Sequence, residues 1–175
     1  MTCVERLKVA LHAYSGARPG GVSSTKCRWP QGEVRYPWIE EVQMATNVKQ
    51  LIDAANAAVP RITPAEAREM IAKGDALVVD VRDAPELEKS GKVAGAVHHS
   101  RGMLEFRADP ASPYYDQKFG TAKSIIVYCA SGGRSVLAGK VLKDMGYGQV
   151  FNMGAFKDWA ENGGPVDKPI DMGMS

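Results

Sequence analysis

From Thr46 onward the apolar positions fall into two rhythms, one helical and one continuous, that alternate along the chain. Val48, Leu51, Ile52, Ala55 and Val59 recur at helical spacing. Asn47 is placed to cap that run, Gln50 follows three residues later, and Pro60 stops it, which predicts a helix within residues 44–60. Thr63-Pro64-Ala65-Glu66 is a capping-box sequence with proline at the first helical position, predicting a helix to about Ala72 that ends at Gly74. Ala76 to Val81 is short, β-branched and apolar without a break until Asp80, as expected of a strand covered on both faces. Asp83 and Glu86 then frame another helix start.

Ala96 to His99 is a shorter strand candidate, and Gly102 to Tyr115, carrying Pro110 and Pro113, predicts a helix followed by an irregular connection. Ile125 to Tyr128 is again a strand. Val136, Leu137, Val141, Leu142 and Met145 then form an apolar stripe, Lys140, Lys143 and Asp144 face outward, and Gly146 ends the helix. Val150 to Asn152 is a last short strand, before a helix in which Phe156 and Trp159 are core packing. Strands alternating with helices predict an α/β fold: a mostly parallel central sheet of about five strands with helices on both faces.

Residues 1–43 have a different texture. Ser15-Gly16, Pro19-Gly20-Gly21, Ser23-Ser24 and Trp29-Pro30 punctuate them without a sustained period, the pattern of a poorly ordered extension with no core of its own. Met44-Ala45-Thr46 directly precedes the first amphipathic helix and is a natural chain start, so residues 1–43 are expected to come from a misassigned start. The rival expectation is a basic targeting presequence, since acids are sparse before Glu33; a secretory signal is disfavoured because His12 interrupts Val9-Ala10-Leu11.

Composition narrows the function classes. The chain has 175 residues, 45% of them apolar and 24% charged, enough for one ordinary core. Its net charge is +2, and no concentrated basic stripe marks a nucleic-acid partner. No apolar run approaches the roughly 20 residues of a membrane span. Cys3, Cys27 and Cys129 are scattered, without C-x-x-C spacing, so neither a disulfide framework nor a zinc site is indicated, and a reducing, cytoplasmic setting fits best. No metal or cofactor is called for. His98 and His99 alternate faces if they lie on a strand, so they cannot share a metal; they are structural or solvent-facing, or one of them lines a site rim.

The chemistry concentrates at Cys129. It ends the apolar run Ile125-Ile126-Val127-Tyr128 and opens the loop Cys129-Ala130-Ser131-Gly132-Gly133-Arg134, which leads through Ser135 into a helix. A helix N-terminus, converging backbone N–H groups and a nearby guanidinium all stabilise a thiolate. Glycines let successive N–H groups turn into one concave nest, so the segment is a candidate anion cradle with a nucleophile at its base. Arg134 is placed either to bind a charged ligand in that cradle or to turn away into an ion pair with a carboxylate. Ser135 is read first as the helix N-cap and second as a partner of the sulfur. An inert strand-end cysteine before a glycine turn is the plain structural alternative.

This loop resembles the active-site loop of the rhodanese sulfurtransferases, and the similarity runs from about Arg61 to Val166. Leu77-Val78-Val79-Asp80-Val81-Arg82-Asp83-Ala84-Pro85-Glu86-Leu87 is similar to that family's first core strand with its Asp-x-Arg signature. Gly91-Lys92-Val93-Ala94-Gly95-Ala96-Val97, Met153-Gly154-Ala155-Phe156-Lys157-Asp158-Trp159 and Gly163-Gly164-Pro165-Val166 match later elements. The resemblance implies a catalytic domain over residues 61–170, a persulfide on Cys129, and donor binding by Ala130, Ser131, Gly132, Gly133, Arg134 and Ser135. Arg101 is either a rim cation for an anionic donor or a solvated loop arginine. By the same resemblance, Asp80 and Arg82 are expected to brace the first strand against a neighbouring loop, with direct chemistry as the alternative.

The expected partners are a small sulfur donor and a thiol or cyanide acceptor, or a protein that carries a persulfide. Two rival functions remain. One is a sulfur-relay module with little turnover of its own. The other is a small cysteine-dependent phosphatase or arsenate reductase, which loop length disfavours: four residues separate Cys129 from Arg134, one fewer than the Cys-x5-Arg phosphatase pattern. Relatives with good thiosulfate activity often carry a basic residue directly after the cysteine, where this chain has Ala130. Persulfides are therefore donors to weigh beside thiosulfate.

Overall fold

The computed structural model describes residues 46–167 and, before them, two short strands, β1 (Arg28–Trp29) and β2 (Gly32–Glu33), paired antiparallel. The chain divides into two compact units, residues 1–44 and 45–175. Apart from that hairpin, the expectations for residues 1–43 and a start at Met44 lie outside the described residues.

The second unit begins with α1 (Val48–Ala58) and α2 (Pro64–Ala72). Both carry the anticipated capping boxes, Asn47 with Gln50 and Thr63 with Glu66, each pair satisfying two otherwise free N–H groups. Next come β3 (Ala76–Asp80), α3 (Ala84–Ser90), β4 (Lys92–Val93), β5 (Val97–His98), a 3₁₀ turn at Arg101–Met103, α4 (Leu104–Ala108) and α5 (Lys118–Thr121). The chain closes with β6 (Ser124–Cys129), α6 (Gly133–Asp144), β7 (Val150–Ala155), α7 (Phe156–Glu161) and β8 (Val166–Asp167).

Four strands form the central sheet in the order β5-β3-β6-β7, every pair parallel. That is one fewer than the expected five. Among the described residues the remaining strands of this unit, β4 and β8, pair with each other antiparallel in a separate ribbon. The side chains of β3 and β6 alternate between two cores. Leu77, Val79, Val81, Ile125, Val127 and Cys129 face α4, α5 and α6, whereas Val78, Ile126 and Tyr128 face α2 and α7. Helices thus cover both faces, as such a sheet requires.

Helix α1 packs on α6 rather than on the sheet, through Ala55, Val59 and Val136. Gly139 makes the approach possible, because a Cβ there would lie 2.9 Å from a Val59 methyl. Over Gly102 to Tyr115 the chain forms the expected helix and irregular connection: α4 ends at Ala108 and turns follow through both prolines, before α5 forms beyond them.

Candidate active site

Cys129 is the last residue of β6, at the carboxyl end of the sheet where open α/β sheets bind ligands. It lies on the α6 face, and none of its surface is exposed. The loop turns back over it because Gly132 adopts φ +98°, a left-handed conformation that places its N–H 3.1 Å from Cys129 Sγ. That turn also presses Gly132 against β7: a Cβ on Gly132 would sit 3.4 Å from Gly154 Cα. Ala130 and Ser131 form the exposed tip.

Ser135 is not the N-cap of α6. Gly132 holds that position, so Ser135 stands in the first turn, fully buried, with Oγ 3.5 Å from Cys129 Sγ. Burial pushes the Cys129 thiol up, but the Ser135 hydroxyl and the amides of Ser131, Ser135 and Gly132 outweigh it, and the thiol ends below its ordinary range. The 12-residue helix behind these amides adds its positive end. The loop can therefore hold a thiolate, or an anion formed on it, without a metal. Among the described residues no cluster of His, Cys, Asp and Glu is arranged to hold one.

Of the two placements open to Arg134, the ion pair is the one formed. Its Nη1 and Nη2 donate to Glu86 Oε2 and Oε1 at 2.7 and 2.8 Å, and Nη1 lies 3.1 Å from Asp83 Oδ2. The contact latches the loop to α3. Glu86 in turn accepts the Asp83 N–H, so one carboxylate serves both helix start and latch. Hydrogen bonding to Arg134 draws the Glu86 carboxyl below its usual range, and Glu86 raises the arginine. Because Glu86 is more acidic in the fold than in the open chain, the latch supports the fold above the usual carboxylate range and is lost as pH falls through the lowered value.

The Arg134 side chain is 35% exposed, so solvent screens this pair. Arg134→Met should cost only about 1 kcal/mol in urea unfolding. It should nevertheless raise the Cys129 ionisation midpoint, since the guanidinium and the sulfur interact electrostatically. A stability loss above about 3 kcal/mol would instead make the latch a main support of the fold.

Arg101 carries its own counter-ion, Glu105, at 2.8 and 3.0 Å. The two histidines make separate contacts, and only His98 lies on a strand: His98 Nε2 contacts the Arg82 carbonyl at 2.8 Å, and His99 Nε2 lies 3.0 Å from Asp116 Oδ2. A cavity of about 560 Å³ is at the other end of the sheet, lined by residues that include Tyr115, Phe119, Ile125 and Tyr147. A reactant reaches Cys129 only by displacing part of what covers it.

Sequence reasoning missed Asn152. It is 2% exposed on β7, where a bulge between Asn152 and Gly154 turns its amide toward the loop. A lone polar residue inside the apolar run Val150-Phe151-Asn152-Met153 was the available signal.

The chain belongs to the rhodanese-like domain family, whose model matches residues 63–162. A curated relative, the thiosulfate sulfurtransferase GlpE of Coxiella burnetii, is 30% identical over 100 residues, covering 57% of this chain and 85% of that protein. Among solved structures, a protein of unknown function from Rhodopseudomonas palustris CGA009, described as a possible tyrosine phosphatase, is 39% identical with a TM-score of 0.67, covering 71% of this chain and 97% of its own. The polysulfide-sulfur transferase homodimer of Wolinella succinogenes is 28% identical with a TM-score of 0.56, covering 73% and 90%. No helix among the described residues is long and apolar enough to cross a membrane.

Proposed function

We propose that the protein is a sulfurtransferase that carries sulfur as a persulfide on Cys129. The observation that carries this is the Gly132 N–H aimed at Cys129 Sγ from 3.1 Å, at the positive end of α6. The Cys129 thiolate attacks the outer sulfur of a donor; the donor's S–S bond breaks and its remaining electron pair leaves as sulfite or a thiolate. A nucleophile, a thiolate or cyanide, then takes the outer sulfur and returns Cys129 to the thiolate. The loop amides stabilise RS⁻ and RS–S⁻ alike, in the manner of an oxyanion hole.

The donor is a persulfide or polysulfide in preference to thiosulfate. Ala130 contributes no charge, and Arg134 and Arg101, the guanidiniums at this end of the sheet that the sequence singled out, are each held by carboxylates. A dianion such as thiosulfate therefore gains less here than a donor that can bind as a monoanion, RS–S⁻ or the protonated polysulfide HSn⁻. The Wolinella relative, named for polysulfide, supports that choice.

Mass spectrometry of the protein after exposure to polysulfide or thiosulfate tests both parts. One added sulfur atom on Cys129, removed by cyanide and loaded at lower polysulfide than thiosulfate concentration, is the expected result. Hydrolysis of a phosphate ester with no adduct from any donor would move the assignment to a phosphatase.

A further inference from the structure

The Ser135 hydroxyl has a single proton and three acceptors within reach. Asn152 Oδ1 lies at 2.8 Å, the Gly132 carbonyl at 3.0 Å and Cys129 Sγ at 3.5 Å. All four residues are buried. The Asn152 amide cannot be turned over to relieve the competition. The Gly154 N–H, a pure donor, sits 2.9 Å from the same oxygen and fixes it in place, while Asn152 Nδ2 donates to the Gly132 carbonyl at 3.4 Å. The Asn152 backbone is held too, its N–H donating to the Pro60 carbonyl and its own carbonyl accepting from Ile62.

We propose that Asn152 is a positioning residue that acts on the Cys129 sulfur through Ser135: its Oδ1 competes with Sγ for the Ser135 hydroxyl proton and accepts that hydrogen bond whenever the sulfur does not need it. With Cys129 as a thiolate, the charged acceptor draws the Ser135 proton. Neither amide oxygen nor carbonyl is then orphaned, since Gly154 still donates to Asn152 Oδ1 and Val136 still donates to the Gly132 carbonyl at 3.0 Å. With Cys129 as a thiol, or with the charge moved to an outer sulfur, the proton rotates back to Asn152. A buried hydroxyl stays satisfied in both states, which a serine facing the sulfur alone would not achieve.

The competition predicts opposite shifts from two substitutions. Asn152→Leu removes the rival acceptor, leaves the Ser135 proton more available to the thiolate, and should lower the Cys129 ionisation midpoint by about half a unit to one unit. Asn152→Asp offers a stronger acceptor and a nearby negative charge, and should raise it by about one unit or more. The other charged groups around the sulfur are common to all variants: Arg134 with Glu86 and Asp83, the buried Asp80–Arg82 pair at the end of β3, Arg61 against Gly154, and His99 with Asp116 beyond β5.

The measurement is the pH dependence of alkylation of the full chain by iodoacetamide, read on the Cys129 peptide by mass spectrometry so that Cys3 and Cys27 do not contribute. The midpoint reports ionisation; the plateau rate reports access, so a loosened loop does not imitate the effect. In a Ser135→Ala background the Asn152→Leu shift should shrink to less than half, and the Asn152→Asp shift should shrink to the part that the carboxylate's charge alone supplies. Shifts of full size without Ser135, or a midpoint in Asn152→Leu equal to or above that of the unaltered protein, would overturn the proposal. If Asn152→Leu fails to fold, the pair Asn152→Asp with and without Ser135 decides. The inference rests on Cys129 being the reactive sulfur, yet alkylation requires no sulfur transfer, so a Cys129 that never accepts sulfur from a donor would refute the function and leave this test standing.

Discussion

Cys129→Ser is expected to reduce sulfur transfer to the level of the uncatalysed reaction, a loss of at least about 10³-fold as for other covalent nucleophiles. A serine hydroxyl is far from ionised under conditions where this thiol is shifted toward its anion, and it forms no persulfide. The fold should hardly notice, because the two side chains are nearly isosteric and the Gly132 and Ser135 donors suit an oxygen as well as a sulfur. Donor-dependent thiocyanate formation from cyanide checks the first part, and urea unfolding the second. Activity within tenfold of the parent would remove Cys129 from the chemistry.

Arg82→Met is expected to destabilise the fold by about 3–5 kcal/mol, the largest stability effect of a single side chain at this site. Asp80 is completely buried at the end of β3 and receives the Arg82 backbone N–H, Nε and Nη2 at 2.7–3.1 Å. The same guanidinium donates to the Ser90 hydroxyl and the Gly91 carbonyl, and lies 4.2 Å from the Phe156 ring centre. Methionine fills the volume but leaves a carboxylate in the core without its cation. Removing both charges in Asp80→Leu/Arg82→Met should recover part of the loss, because the cost lies in the orphaned partner rather than in the absence of attraction. Urea midpoints of the single and double variants decide; a double variant no more stable than Arg82→Met alone would contradict this account. The pair braces β3 against Ser90 and Gly91.

The contrast between what was legible in the chain and what was not follows the range of the interactions. The caps at Asn47 and Thr63 and the strands at Ala76 and Ile125 declare themselves within a few residues, since hydrogen bonds to neighbours and continuous apolar runs are local. Cys129 and its loop were legible for the same reason, a strand, a glycine turn and a helix in direct succession. What Arg134 does was not, because Glu86 and Asp83 reach it from another helix. Ser135 was read as a cap because serine favours that position, but the left-handed turn at Gly132 starts α6 earlier and buries the hydroxyl instead. The pairing of β4 with β8, and the place of Asn152 behind the loop, depend on chain segments far apart in sequence. The covering over Cys129 is a property of the assembled core and has no local signature.

The strand order carries a consequence for how the chain is made. β3 occupies the middle of the sheet, yet both of its neighbours are synthesised after it, and Ala76 finds its partner only when Ser124 has emerged. During translation this stretch of valines therefore waits with two open edges, the condition under which nascent chains associate wrongly or recruit chaperones. Assembly around Cys129 is correspondingly late: the turn that shelters its sulfur closes against Gly154, so this site is complete only as the last strand of the sheet docks.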